Sequence, residues 1–310
     1  MAGAPDTVSV GIPAYGFCPH LGLVIDRLLS QTVRPTEIVV VHSGSGDPTA
    51  ALMAKDPCVR VLHRDRRLFA GAARNIAADH SHGTWQAFID ADVLPVDTWL
   101  ENLLAAARAH GNGYVVGSVG IARTGGYWGL ALWTIEFAGV HPYLPDRATH
   151  AIASCTLLVP AAALARVGGF PSHFAGAEDT IFGAKLRAVG FAPWFQANAR
   201  VDHMNISGFR HFAVHLYGLG RHSALARRAA PIRGRLAIRF WPLALGLFVS
   251  KFADTYGRAL RWGQGQRWQF VVLAPGVLLG LMIWNAGLIA ALRATVPPID
   301  RDQAAEQLTP

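Results

Sequence analysis

Two rhythms of apolar residues run through the first half of the chain. TVSVGIPAY is a nearly continuous apolar run ending in a loop, as a strand covered on both faces requires. LGLVIDRLLSQ repeats its apolar residues at helical spacing. EIVVVHSGSGD is a β-branched strand running into a glycine-rich turn, and VRVLHR is a shorter strand. AGAARNIAADHS predicts a helix, WQAFIDAD a strand, and DTWLENLLAAARAH a helix with Asp97 as its N-cap. Strands alternating with helices predict an α/β fold, a mostly parallel sheet with helices on both faces. Ligands of such sheets bind beyond the carboxyl ends of the strands. Ile12–Pro13, His42–Ser43 and Asp90–Asp92 fall at those ends.

Between 114 and 200 the pattern is mixed and rich in aromatic loops. ASCTLLVP predicts a strand and AALARVGGFP a short helix closed by a Gly-Gly turn. AEDTIFGAKLRAVGF predicts a helix entered through Glu178 and Asp179 and ended by Gly190. The last third changes character. Residues 221–239 hold Arg221, Arg227, Arg228, Arg233, Arg235 and Arg239, a stretch suited to a membrane surface. Phe240 to Ser250 is uncharged but short for a span, whereas Phe270 to Leu292 is uncharged throughout and exceeds the ~20 residues that cross a bilayer core. Arg258, Arg261, Arg267 and Trp268 precede it as interface anchors; QGQRW at 264–268 fits a Q-x-x-R-W pattern from Gln264, but its place against the span favours the same anchor reading. The expected organisation is a catalytic domain at 1–220 and a basic, membrane-associated region at 221–310 with a transmembrane helix at 270–292. A pair of buried core helices is the alternative.

Composition sharpens this picture. Hydrophobic residues make up 52% of the 310, charged residues only 15%, and the excess apolarity sits mainly in the last third. Lys and Arg outnumber Asp and Glu by 28 to 20, which suits a partner bearing phosphates. Cys18, Cys58 and Cys155 are scattered and odd in number, which argues against a disulfide framework or a CxxC zinc site and for a reducing compartment. MAGAPDTVSV has neither a basic n-region nor an apolar h-region, so no signal peptide is expected.

The candidate chemistry lies in carboxylates. Asp90 and Asp92 flank one alanine, and residues two apart on a strand share a face. A divalent cation offsets their repulsion and can hold a diphosphate as it leaves. Glu178 and Asp179 are adjacent at a helix start, where the helix dipole alone explains one acid. The other is placed to act as a general base toward an acceptor hydroxyl. His203, in RVDHMN, is a transition-metal ligand if it lies near Asp92.

VSVGIPAYG, EIVVVHSGSGD, GAARNIAADHSHGTWQAFIDADVLPVDTWL, VGGFPSHFAGAEDTIFGAKLRAVGF and VDH occur in one order over residues 8 to about 205. This ordered set resembles the family 2 glycosyltransferases of GT-A fold. The resemblance implies transfer of a sugar from a nucleotide-sugar, with inversion, using Mn²⁺ or Mg²⁺. It implies that Asp92 binds metal and diphosphate, that Asp90 contacts ribose or metal, and that His203 completes the metal site. It makes Asp179 the base, with Glu178 assisting acceptor binding. Pro13, Tyr15, Ser43 and Arg74 fall in the donor pocket. One departure stands out: the second strand of the family commonly ends in aspartate before Gly-Ser, where this chain has His42. An imidazole reads a base differently from a carboxylate, so the nucleotide stays open. The expected acceptor is a lipid-linked or surface glycan at the cytoplasmic face of the inner membrane, with no nucleic-acid partner. A nucleotidyltransferase is the alternative enzyme, but no glycine-rich, Lys- or Arg-bearing phosphate loop follows the first strand. A catalytically weak membrane-bound scaffold is the other alternative, and His42 is its support.

Overall fold

A computed structural model describes residues 6–111, 113–238, 240, 242–263, 265 and 267–294. Arg239, Gln264, Gln266 and the tail beyond 294 lie outside the described residues. The first half alternates strictly: β1 (Val8–Tyr15), α1 (Leu21–Leu29), β2 (Glu37–Ser43), α2 (Thr49–Met53), β3 (Val59–Arg64), α3 (Ala70–Asp79), β4 (Trp85–Ile89). There follow β5 (Val93–Pro95), α4 (Trp99–His110), β6 (Tyr114–Arg123), α5 (Gly126–Glu136), β7 (Arg147–Ala148), β8 (Thr156–Pro160), α6 (Ala161–Arg166), α7 (Glu178–Ala188) and β9 (Pro193–Met204). Three long helices complete the chain: α8 (Phe209–Ala229), α9 (Leu243–Trp262) and α10 (Arg267–Arg293).

One mixed sheet runs β3-β2-β1-β4-β8-β6-β9-β5, with β7 paired to β9. β3, β2, β1 and β4 are mutually parallel; β8 turns the sheet by pairing antiparallel with β4 and β6. Ile38, Val39, Val40 and Val41 of β2 are fully buried, which accounts for the unbroken apolar run: both faces of this strand are covered. Gly11 of β1 is where α3 presses closest, since a Cβ there would sit 3.1 Å from Ala77 and Phe88. The other end of the helix, Ala70 to Arg74, lines the cleft at the mouth of the parallel half-sheet.

The sequence reading differs from the structure at particular elements. Helix α4 starts at Trp99 after Thr98, without a side-chain cap; Asp97 instead pairs with Arg27 at 3.3 Å. Helix α8 runs through position 220. The uncharged stretch at 240–250 opens a longer helix, α9, that carries Lys251, Asp254 and Arg258. Several of the arginines at 221–239 serve internal contacts: Arg233 pairs with Asp254, Arg227 donates to Ser223, and Arg228 donates to the carbonyls of Ala291 and Leu292. The last of these offers a cation to the C-terminal end of α10, where free carbonyls and the helix dipole favour one.

Helix α10 lies along α8 and also touches α5 and α9. Glycines permit this closeness. A Cβ on Gly220 would meet the Trp284 carbonyl at 1.9 Å, and one on Gly287 the Tyr217 carbonyl at 2.1 Å. Among the described residues α10 is the one helix long and apolar enough to cross a membrane, yet half of its most apolar stretch is buried against the protein. The rest leaves an exposed apolar strip that includes Val271, Val272, Leu278 and Met282.

Candidate active site

The two acid motifs, far apart in sequence, meet at one buried guanidinium. Arg74 on α3 is 2% exposed; it donates to Asp90 Oδ1 at 2.6 Å and to Glu178 Oε1 at 2.7 Å. Three features of the chain hold this bridge. Asn75 clamps the Gly-Gly-Phe turn, accepting from Phe170 N and donating to Phe170 O, both at 2.8 Å. Gly71 lets the loop approach, because a Cβ there would meet the Pro171 carbonyl at 2.5 Å. Ala177 then takes a left-handed conformation, φ 63°, immediately before Glu178. A non-glycine residue there costs of order 1 kcal/mol, and here it aims the acid pair into the site. Removing one partner from such a buried ionic cluster typically costs about 3–5 kcal/mol.

Arg74 and Glu178 thus spend charge on each other, while Asp179 remains beside them, half-buried. Its Oδ1 accepts from the backbone and hydroxyl of Thr180. Burial, reinforced by the Glu178 carboxylate and only partly countered by Arg74, pushes its pKa up to about 7. A carboxylate poised there suits proton abstraction near neutral pH.

Asp92 meets His203 through the sheet. β5 pairs antiparallel with β9 so that Val93 faces His203, and Met204 N donates to Asp92 O at 2.9 Å. His203 Nε2 lies 3.7 Å from Asp92 Oδ2, and its Nδ1 lies 2.9 Å from Asn205 Oδ1. Were Nδ1 to donate to the Asn205 oxygen, Nε2 would present its lone pair toward Asp92, the arrangement metal-bound imidazoles take. Burial, with Asp90 nearby and despite His203, raises the Asp92 pKa. Among the described residues no group of three or more His, Cys, Asp or Glu forms a complete metal cage. The donor set nonetheless fits an open site for Mn²⁺ or Mg²⁺: one carboxylate, one imidazole and room for substrate oxygens.

Two cavities meet at these residues. A cleft of about 400 Å³ is lined by Pro13, Tyr15, Cys18, Arg67, Arg74 and Asp92. At its rim Tyr15 is half exposed, with the Arg67 guanidinium 4.5 Å from its ring centre. A second cavity of about 550 Å³ includes Asp92, Glu136, Asp179, His203, Lys251 and Trp284 in its lining. Ala70, Arg74, Asp90, Asp92 and Ala175 line both.

His42 and Ser43 stand behind the cleft rather than in its wall. His42 is buried; its Nε2 lies 2.9 Å from the Gly16 carbonyl and its Nδ1 3.0 Å from His63 Nδ1. The Ser43 hydroxyl accepts from Leu68 N at 3.2 Å, fixing the loop that carries Arg67. Sequence reasoning passed over Arg67, Glu136, His215 and Lys251. Arg67 sits in the run RDRR, whose charge was the available signal. Glu136, His215 and Lys251 lie on separate helices, and only folding brings them together.

A half-parallel sheet with a cleft at its strand ends, a DxD motif beside a histidine and a second acid pair define a glycosyltransferase fold of GT-A type. A solved structure described as GalNAc-T7 with UDP, GalNAc and Mn²⁺ shares it, with a TM-score of 0.54 and 16% identity over 70% of this chain and 47% of that one. Residues 9–157 match the family described as glycosyl transferase family 2. Among curated relatives, the glycosyltransferase AglE of Haloferax volcanii is 26% identical over 61% of this chain and 64% of its own length. The succinoglycan biosynthesis protein ExoO of Rhizobium meliloti is 32% identical over 39% of this chain and 35% of its own length. The chain therefore spans less than two thirds of these relatives.

Proposed function

We propose that this chain is an inverting glycosyltransferase that moves a sugar from a nucleotide-sugar to a glycan acceptor. The observation that carries this reading is that Asp179, with its pKa near 7, lines the larger cavity, which shares Arg74, Asp90 and Asp92 with the donor cleft. The cleft beside Tyr15 and Arg67 takes the nucleotide, its base or ribose against the Tyr15 ring. The diphosphate then reaches Asp92. The acceptor occupies the larger cavity with one hydroxyl against Asp179. Asp179 takes the hydroxyl proton as that oxygen bonds to the anomeric carbon; the bond from that carbon to the diphosphate oxygen breaks, and the electron pair leaves with the nucleoside diphosphate. One displacement inverts the anomeric centre. Asp92 and His203 would hold the divalent cation, whose chemistry is to neutralise the charge of the departing diphosphate. Arg74 keeps Asp90 and Glu178 in register without touching the reacting atoms.

Membrane association is part of the proposal, and the exposed strip of α10 supports it. Because α10 lies along α8, which carries Arg210, Arg221, Arg227 and Arg228, the strip suits contact with the bilayer surface better than a crossing. A lipid-linked acceptor and a site on the cytoplasmic face of the inner membrane follow as parts of the same reading.

The test is thermal shift with nucleoside diphosphates, with and without Mn²⁺, followed by NMR of the product anomer. One diphosphate should stabilise the protein only with metal, and Asp92→Asn should abolish that dependence. A product retaining the donor's configuration would exclude the single-displacement mechanism.

A further inference from the structure

The end of the large cavity away from the donor cleft holds a cluster that the transfer chemistry does not use. Glu136 from α5 meets His215 from α8, whose Nε2 is 3.2 Å from both carboxylate oxygens. Beside them Lys251 of α9 reaches the cavity with its ammonium 4.9 Å from the Trp284 ring centre. The neighbouring basic groups have partners: Arg74 binds Asp90 and Glu178, His215 binds Glu136, and Arg227, outside the cavity lining, binds Ser223 and the Arg233 carbonyl. The Lys251 ammonium makes no hydrogen bond to any described residue. Lys251 is partly buried, and an ammonium at a cavity wall whose donors no protein group takes up is matched to an acceptor entering that cavity. The surrounding side chains are apolar or already paired, so that acceptor is not a protein group.

We infer that Lys251 is the receptor for an anionic group, a phosphate or a carboxylate, on the sugar acceptor. The inference rests on the glycosyltransferase reading for the identity of the cavity, since Asp179 lines the same cavity and fixes where the acceptor hydroxyl must lie. Glu136, held by His215, closes one side of the site and leaves Lys251 the side facing the cavity. Three helices that follow the catalytic sheet, α8, α9 and α10, thereby supply acceptor specificity to motifs that precede them. Burial and the nearby Arg227 draw the Lys251 pKa down to about 8, with Glu136 opposing and Arg258 adding to the fall. Anion affinity should therefore weaken as pH rises through 8.

Calorimetry on the full chain tests this with three probes: inorganic phosphate, methyl glucuronide and the neutral methyl glucoside. The charged probes should bind, and the neutral one more weakly. Lys251→Met should weaken the charged probes by tenfold to a hundredfold, roughly the range of one charge-assisted hydrogen bond. Lys251→Arg should retain them. Binding of phosphate alone assigns a phosphate-bearing acceptor, and binding of both shows that a carboxylate suffices. Anionic probes that bind no better than methyl glucoside, or equally well to Lys251→Met, overturn the inference. Nucleoside diphosphates titrated in parallel test the underlying reading separately: if none binds, the glycosyltransferase assignment fails while the anion result stands on its own.

Discussion

Asp179 illustrates how one residue trades stability for chemistry. Its folded pKa near 7 lies above the ordinary 3.8, so the folded state holds the proton more tightly than the unfolded chain. Its contribution to stability is therefore undiminished below about pH 4, falls as pH rises toward 7, and stays at its least favourable above that. Asp179→Asn removes the charge that causes the loss. The variant should melt higher than the parent at pH 8 and close to it at pH 4, as read by scanning calorimetry. Its turnover should fall by about 10²–10⁴, the span a missing general base usually costs. In the parent, turnover should decline about tenfold per unit below pH 7, as the base becomes protonated. A parent rate that is flat from pH 5 to 8 would remove Asp179 from the chemistry.

At the scale of elements, the apolar rhythm of the first half was legible because each strand is short, β-branched and bounded by turns. β2 and β4 fall where their runs predict. Other elements were hidden for physical reasons. β5 is three residues long, too short for a period of two to register, yet it carries the pairing that sets His203 beside Asp92. α5 is apolar almost all round because it is packed between the sheet and α10, so it shows no polar face. The acid pairs were visible as motifs. Their common partner Arg74 was visible only as one residue of a helix, because a contact spanning 104 positions leaves no local pattern. The α8–α10 packing is similarly silent in sequence and rests on Gly220 and Gly287. Gly287→Ala places a methyl group against the α8 backbone, and overpacking of this kind costs about 1–3 kcal/mol. Chemical denaturation should report a loss in that range, and an unchanged midpoint would mean that the helices are not packed this tightly.

For the whole molecule, the question is how the C-terminal helices serve the catalytic sheet. They bury Leu132, Ile135, Phe212 and Leu216 and leave Leu243, Val249, Leu260 and Val271 exposed. If these exposed apolar residues rest on a bilayer, sodium carbonate should strip the protein from membranes, and it should float with anionic liposomes in low salt. Resistance to carbonate would instead indicate a crossing helix. The shared wall of the two cavities has a further consequence. On the proposed reading, the residues that would frame the departing diphosphate would also frame the space from which the nucleophile comes. A poorly fitting molecule in that space leaves room for water beside Asp179, and water is itself a nucleophile. Selectivity in this enzyme would then appear less as refusal than as leakage: a wrong acceptor is tolerated, the activated sugar is spent on solvent, and the yield per donor consumed records how well the space was filled.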